Sequence, residues 1–421
     1  MRGGGRAVAG QAMVPDKADV LIVGAGIIGL TLARRLVQAG CDNVVLVEKE
    51  AAPGMHASGR NSGVLHAGIY YAPDSLKAKS CLNGNFLMRA YCRERGLPLQ
   101  ENGKVIVARD EGELPVLDEL CRRATTNGAK VEMIDERQLA EIEPNARSSG
   151  KALFSHYTAC VDPVAVLCSL RKEVEAGGKA TLVTDCLFTG VRGSRTAITS
   201  RGEISFRKFV NAAGAYCDRV AHLFGVGRQY RLIPFKGIYR KLRKGLVHTV
   251  RGNIYPVPDI RNPFLGVHLS RDIHGEVYLG PTAIPAFGRE NYGILSGIDR
   301  EGASIALSDA ILFFRNPKFR GVALREPRKY SRLAFFRDAA RLVKVLSPSD
   351  IEPSEKVGIR AQLVDWRTKE LVMDFQIIAD GGTIHVLNPI SPAFTSSMDI
   401  ADFLVREHFA GRGADGKGEL Q

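Results

Sequence analysis

The first regular stretch of hydrophobicity is Asp19-Val20-Leu21-Ile22-Val23, a short apolar run of the kind that forms a strand buried on both faces. An amphipathic run then reaches Gly40, and a second apolar run, Val44-Val45-Leu46-Val47, ends at Glu48. The pattern predicts strand, helix, strand. Pro73-Asp74-Ser75 opens a helix to Arg95 whose apolar face is Leu76, Leu82, Phe86, Leu87 and Ala90. Residues 104–108 read as a strand, 111–127 as a helix stopped at Gly128, and 131–144 as strand then helix. Asp162-Pro163 starts a helix to Ala176. Short strands follow at 181–183, 187–191, 197–199 and near Ile204, and the run Phe209-Val210-Asn211-Ala212-Ala213-Gly214 reads as a strand returning beside the first, with a helix over 216–224 after it. Residues 231–290 alternate strand-like runs with Gly and Pro, which predicts an antiparallel sheet separate from the first unit. Residues 299–345 turn helical, 350–366, 374–378 and 383–387 are strand and loop, and a last helix runs from about Ser396 to Phe409.

Three glycines sit between the first strand and the first helix at GxGxxG spacing: Gly24, Gly26 and Gly29. The first permits a tight turn, the second lets backbone approach a pyrophosphate, and the third lets helix and strand pack closely. The N–H groups of Ile27 and Ile28 then open a helix whose positive end faces the phosphates. Glu48 closes the second strand, where an acid accepts hydrogen bonds from ribose hydroxyls, and Lys49 lies beside it. An acid there repels a 2′-phosphate, which disfavours NADP and leaves FAD and NAD.

The 421 residues suit one large two-part domain or two domains, with 45% apolar residues for a core. A formal net charge of +13 favours anions: acidic substrates, anionic lipid or nucleic acid. No aromatic-rich nucleic-acid signature supports the last, so no nucleic acid partner is expected. No apolar run approaches the ~20 residues that span a bilayer. Eight scattered cysteines without a CxxC read as reduced, mostly buried thiols, and no metal site is expected from them.

The expected fold class is α/β: a discontinuous Rossmann-like nucleotide domain (18–95, 150–224 and 351–409), an inserted antiparallel-sheet substrate domain (96–149 and 225–298) and a basic helical segment (299–350). Residues 1–17, rich in Gly, Arg and Ala, and the tail from 411 read as disordered, the former also as a weak targeting signal. Between Met55 and Tyr71 runs a long loop rich in Gly, Ser and Asn that carries His56, Arg60 and His66, a composition that lets backbone lie against a flat ligand.

This layout resembles the D-amino-acid-oxidase-like FAD enzymes, and within them the L-2-hydroxyglutarate dehydrogenases, also called oxidases. The resemblance rests on Asn61-Ser62-Gly63-Val64-Leu65-His66-Ala67-Gly68-Ile69-Tyr70-Tyr71, Ser75-Leu76-Lys77-Ala78-Lys79, Gly103-Lys104-Val105-Ile106-Val107-Ala108, Tyr255-Pro256-Val257-Pro258-Asp259, Pro263-Phe264-Leu265-Gly266-Val267-His268-Leu269, Gly358-Ile359-Arg360-Ala361-Gln362 and Ser391-Pro392-Ala393. It spans roughly 18–408 and is poorest over 300–350. It implies FAD as cofactor, oxidation of L-2-hydroxyglutarate to 2-oxoglutarate, and a quinone or other electron acceptor. It also implies membrane association, on the cytoplasmic side of the inner membrane in a bacterium or in the mitochondrion of a eukaryote. Two rivals remain at this stage: another FAD oxidoreductase acting on an amino acid or glycerol 3-phosphate, and a non-catalytic FAD-binding scaffold.

On this resemblance Arg60, Asn61, Ser62 and Gly63 follow the pyrophosphate and ring. Leu187, Ala213 and Gly214 contact adenine and ribose through backbone, and Gly358, Arg360, Ser391, Pro392 and Ala393 reach the isoalloxazine. Oxidising an alcohol needs a base for the hydroxyl proton, and a neutral histidine suits the task. His66 is the first candidate and His268 the second. A C5 dicarboxylate needs cations or donors at both ends, for which Arg360, Lys236, Lys104, Tyr255 and Tyr70 are the candidates. The stretch from Arg315 to Lys344 holds ten Lys/Arg against two acids, interleaved with Phe313, Phe314, Phe319, Leu324, Leu333, Phe335, Phe336, Leu342 and Val343. That composition predicts an amphipathic pair of helices docking on an anionic membrane surface.

Overall fold

The computed structural model describes residues 14–260, 264–298 and 300–409. The expectations for residues 1–13 and 411–421 lie outside these, whereas Lys17 already belongs to a strand. Strand β1 (Lys17–Val23), helix α1 (Ile27–Gln38) and β2 (Val44–Val47) form the predicted opening unit. After the long loop come α2 (Leu76–Glu94), capped by the Ser75 side chain, and β3 (Lys104–Val107). Strands β4 (Ala180–Val183) and β5 (Gly202–Asn211) return to the first sheet. Then follow β6 (Tyr230–Leu242), β7 (Asn253–Pro256) and β8 (His268–Arg271). The basic segment folds as α3 (Gly302–Arg315), α4 (Pro317–Arg325) and α5 (Arg332–Ala339). The chain closes with β9 (Ile351–Asp365), β10 (Thr383–Leu387) and α6 (Ala393–Phe409).

The first sheet is built on the parallel order β10-β5-β1-β2-β4. Its central strands are unbroken apolar runs because alternate residues serve two cores. Val20, Ile22, Val44 and Leu46 pack on the α1 side, while Leu21, Val23, Val45 and Val47 pack on the other. The second sheet runs from β9 through β6, Val277–Gly280, β8, β7 and β3 to the hairpin partners Lys151–Ser155 and Val131–Asp135. It is antiparallel as expected except where β7 lies parallel to β3. A small third sheet joins Val64–Leu65, Ala159–Val161 and Leu99–Gln100.

Two boundaries of the expected domain division shift. The expected division puts residues 351–365 with the nucleotide sheet, but β9 pairs antiparallel with β6 along nearly its whole length. Residues 151–155 pair with β3, again in the second sheet. Local pattern gives a strand but not its partner; the partner is decided by which buried face needs covering.

The basic segment also differs from expectation. Phe319 and Phe335, together with Leu342 and Val343, are buried in protein cores, and only Phe314, Leu324 and Leu333 of the interleaved apolar residues are exposed. These short helices cover the second sheet, so most of their apolar side is spent inside the protein. No helix among the described residues is long and apolar enough to cross a membrane.

Two glycines set close approaches that position the functional region. A Cβ on Gly29 would lie 1.9 Å from the Gly24 carbonyl oxygen, so α1 can enter the turn only with hydrogen there. A Cβ on Gly84 would lie 2.4 Å from the Thr395 carbonyl oxygen, so α2 and the first turn of α6 touch backbone to backbone. Overpacking of this kind costs about 1–3 kcal/mol. Gly84→Ala is therefore expected to lower the melting temperature modestly and to displace the start of α6, loosening the bound flavin. Flavin retained through gel filtration checks this; full retention with an unchanged melting temperature would contradict it.

Candidate active site

The glycine turn brings β1, β2 and the long loop to one point. The Glu48 carboxylate is buried against the turn and accepts the Ala25 N–H at 2.9 Å and the Glu50 N–H at 3.1 Å. The Ser58 hydroxyl accepts the Ile27 N–H at 2.9 Å and would be 2.9 Å from a Cβ on Gly26. The opening of α1, with Ile28 and Gly29 behind Ile27, thus faces the loop across a gap that only glycine leaves. A dinucleotide fits this cradle: the positive N-terminal end of α1 for phosphate, a fixed acid for ribose, and no side chain at Gly26.

From Ile27 a cleft of about 260 Å³ extends between the two sheets. Its walls include Arg60, Asn61 and Ser62 of the loop, Gly214 after β5, Phe235 and Gly237 of β6, Gly358 and Arg360 of β9, and Ser391, Pro392 and Ala393 at the start of α6. Asn61 braces the loop: its carbonyl accepts the Gly63 N–H at 2.8 Å and its amide donates to the Ser58 carbonyl at 2.6 Å. Gly63 itself is pressed against the Val161 carbonyl, 2.3 Å from where a Cβ would stand. On β6 and β9, Phe235 pairs with Arg360 and Gly237 with Gly358, which puts these four on one face of the sheet.

His66 and His268 both line this cleft, as does Tyr255. The His268 Nδ1 lies 2.9 Å from the Gly266 carbonyl, and its ring stacks on Tyr255 with centroids 3.8 Å apart. That carbonyl can only accept, so Nδ1 carries the hydrogen and Nε2 keeps its lone pair. His66 holds Nε2 3.4 Å from the Ser391 hydroxyl, and its buried Nδ1 has no partner among the described residues. Burial, with Lys104 nearby, depresses both imidazoles to about 3, so both are neutral.

The charge around them is one-sided. Arg360 lies over the Phe264 ring at 5.2 Å, its Nε without a partner among the described residues, and burial brings it down to about 10. Lys104 does not reach the cleft surface; its ammonium is buried between the Tyr70 and Tyr255 rings, at 4.6 and 4.9 Å, with no hydrogen-bond partner among the described residues. Burial lowers it to about 7. Lys77, likewise lowered to about 7 by burial, donates to the Met373 carbonyl at 2.6 Å. Tyr70 keeps a buried hydroxyl without a partner among the described residues. Among the cleft's lining residues Glu326 is the one acid, and its carboxylate is already held by the Ala283 N–H and Lys329. Positive charge collected in a low-dielectric site without a counter-ion is suited to an anionic ligand.

Lys236, Leu187 and Lys49 do not line the cleft, although Leu187 follows Cys186, whose N–H donates to the Glu48 carbonyl at 2.8 Å. Lys236 sits between Phe235 and Gly237 on β6, so the two-residue period turns it away, and its ammonium donates to the Gly293 carbonyl. Leu187 is 47% exposed, and its N–H and C=O both bond Ser200. Lys49 faces away from the cleft into a cluster with Glu50, His56 at 2.9 Å and Glu290 at 2.7 Å. Glu50, His56 and Glu290 are close enough to share an ion, but the Lys49 ammonium bonds all three.

Sequence reasoning missed the strap that carries Glu290. Residues 287–298 cross the cofactor loop: Glu290 also accepts from the Tyr216 hydroxyl at 2.7 Å, and Tyr292 bonds His56 Nδ1 at 2.7 Å and stacks under Arg60. Arg289 anchors the strap through buried pairs with Asp218 at 2.6 Å and Glu301 at 2.9 Å. Ser58, Phe264 and Thr395, whose hydroxyl accepts the His66 N–H at 3.1 Å, were missed as well. No local signal marks them, since each acts through a partner distant in sequence.

Known proteins share both sequence and fold with this chain. The family described as FAD dependent oxidoreductase matches residues 19–406. A protein named mitochondrial L-2-hydroxyglutarate dehydrogenase from Caenorhabditis briggsae is 36% identical over 93% of each chain. A protein named L-2-hydroxyglutarate dehydrogenase from an Escherichia coli strain is 33% identical over 92% of each. The FAD-bound L-alpha-glycerophosphate oxidase of Mycoplasma pneumoniae superposes with a TM-score of 0.75 at 24% identity, covering 93% of this chain and 94% of that one. The rival of a non-catalytic scaffold is thereby set aside. The chain belongs to the FAD-dependent oxidoreductases, among the L-2-hydroxyglutarate dehydrogenases, and is an enzyme that uses FAD.

Proposed function

We propose that the enzyme oxidises L-2-hydroxyglutarate to 2-oxoglutarate. The observation that carries this reading is a half-buried Arg360 and a buried Lys104, neither with a carboxylate partner among the described residues, beside two neutral imidazoles. The names of the curated relatives support the same substrate. FAD, when bound, accepts the hydride leaving C2. Arg360 holds one carboxylate of the substrate, and the Lys104 field favours the second negative charge. The tautomer held by the Gly266 carbonyl favours His268 over His66 as the base: His268 Nε2 takes the hydroxyl proton, and His66, whose Nδ1 has no partner among the described residues, positions the substrate.

Anaerobic mixing of the holoenzyme with L-2-hydroxyglutarate, its D-enantiomer, glycine and glycerol 3-phosphate tests the reading. Bleaching of the flavin band by the L-hydroxyacid alone is expected; bleaching by glycerol 3-phosphate or glycine instead would replace it with the rival substrate.

His268→Asn is expected to lower kcat by roughly 10²–10⁴-fold, the usual worth of a general base, and His66→Asn by less. The reverse order would exchange the two roles. Arg360→Lys loses a paired charged contact of about 1.5–3 kcal/mol, or roughly 10- to 100-fold in kcat/KM. Because both imidazoles are held at about 3, they stay neutral as pH falls through the ordinary histidine range. The profile of kcat/KM should therefore show no acid-side loss near ~6.5, and should rise as pH falls through about 7, where the unliganded Lys104 gains its charge. An acid-side loss near ~6.5 would show a histidine that titrates normally.

The electrons pass on to a quinone or another membrane acceptor. The surface suited to this is the outer side of the basic segment, where exposed Leu307, Phe314, Leu324 and Leu333 stand among exposed Arg315, Lys318, Arg320 and Arg332. Exposed apolar side chains ringed by cations match an anionic bilayer surface. Holoenzyme should float with anionic vesicles at low salt and not with neutral ones; equal behaviour on both would exclude this docking.

A further inference from the structure

Outside the active-site cleft lies a second chamber, of about 460 Å³. The two share four lining residues: Phe264, Leu265, Gly266 and Glu326. The partition between them is therefore essentially one turn and one carboxylate. That turn is tied to the chemistry on its inner side. Phe264 lies under the Arg360 guanidinium and packs on Phe235 at 4.7 Å, and the Gly266 carbonyl fixes the tautomer of His268.

The chamber's wall carries six cations, Arg109, Arg325, Arg328, Lys329, Arg337 and Arg341, against three acids. Half of the cations are neutralised. Arg109 pairs with Glu113, Arg341 with Asp110 at 3.0 Å, and Lys329 with Glu326 and Asp338 at 2.5 and 3.0 Å. Arg325, Arg328 and Arg337 form no ion pair among the described residues. An exposed guanidinium alone does little, but several unpaired ones around one concavity focus a positive potential there.

We propose that this chamber is an outer anion site that captures the dicarboxylate substrate and hands it past the Phe264–Gly266 turn into the cleft. The proposal rests on the reading of the cleft as a diacid site. It divides the basic segment between two tasks: Arg325, Arg328 and Arg337 face the chamber, and the cations of the outer side remain for the membrane. Capture of this kind raises the rate of productive encounter and leaves the chemical step alone. It weakens as salt screens the field, with a screening length of ~10 Å at 0.1 M.

The test mixes holoenzyme anaerobically with L-2-hydroxyglutarate far below saturation and follows the second-order rate of flavin bleaching against ionic strength. The wild-type rate should fall as salt rises. The double variant Arg328→Gln/Arg337→Gln should be slower by roughly tenfold at low salt, a modest steering effect, and should converge with wild type at high salt. Its bleaching rate at saturating substrate and its melting temperature should be unchanged. The double variant Arg315→Gln/Arg320→Gln, which removes the same charge from exposed positions outside the chamber, should keep the wild-type rate. An unaltered Arg328/Arg337 variant overturns the proposal, and so does equal slowing of both variants, which would make overall charge the cause. If wild type is not bleached at any concentration, the reading of the cleft fails instead. The chamber is then tested by titrating malonate dianion into the holoenzyme at low salt by calorimetry. Binding weakened in the Arg328/Arg337 variant supports the chamber, and absent or unweakened binding overturns it.

Discussion

Buried positive charge without a counter-ion is the constraint around which the functional half of this protein is arranged. Lys104 is withdrawn from water and Arg360 is half-buried in the cleft wall, and neither is met by a carboxylate among the described residues. In a folded core such groups are costly, by several kcal/mol each before relaxation. The cost is tolerable here because each cation rests on aromatic faces: Phe264 for Arg360, Tyr70 and Tyr255 for Lys104. The same field, together with burial, keeps His66 and His268 neutral, which is the state a proton acceptor needs. One electrostatic arrangement thus prepares both the binding of an anion and the acceptance of its hydroxyl proton.

The fold supplies this arrangement by placing residues of both units around one cleft. The parallel sheet ends in the glycine turn and the Glu48 carboxylate, the place for a dinucleotide. The long antiparallel pair β6–β9 carries Phe235, Gly237, Gly358 and Arg360 to the opposite side. The start of α6, seated by the contact of Gly84 with Thr395, closes the third wall next to His66. The 287–298 strap ties the cofactor loop to the second unit through Glu290 and Tyr292, anchored by the buried Arg289 pairs.

What could be read in the sequence divides along the range of the interactions. The βαβ opening was legible because its signals are local: apolar runs, glycine spacing, a terminal acid. The return strands β5 and β10 were legible because a parallel strand buried on both faces is a continuous apolar run. The convergence of His66, His268 and Arg360 came from resemblance, since they lie on three separated segments that no local pattern connects. Lys236 was misplaced because adjacency in sequence is opposition in a strand: its neighbours line the cleft, so it cannot. The domain division failed at β9 because a strand does not announce its partner. The basic segment reads as amphipathic because its aromatic residues alternate with cations, but that pattern does not say which of them face inward; Phe319 and Phe335 hold it to the second sheet. The strap was invisible, for Glu290 and Lys49 are partners only in space.

The central claim is that the buried cations await a dianion. Lys104, lowered to about 7, is mostly deprotonated at pH 8 in the absence of ligand, and a dianion placed nearby must raise its affinity for a proton. Binding of 2-oxoglutarate to the oxidised holoenzyme at pH 8, followed by calorimetry in buffers of different ionisation enthalpy, reads this directly. Net proton uptake that disappears in Lys104→Met is the predicted result. Binding without proton uptake, or uptake that persists in that variant, would contradict the account.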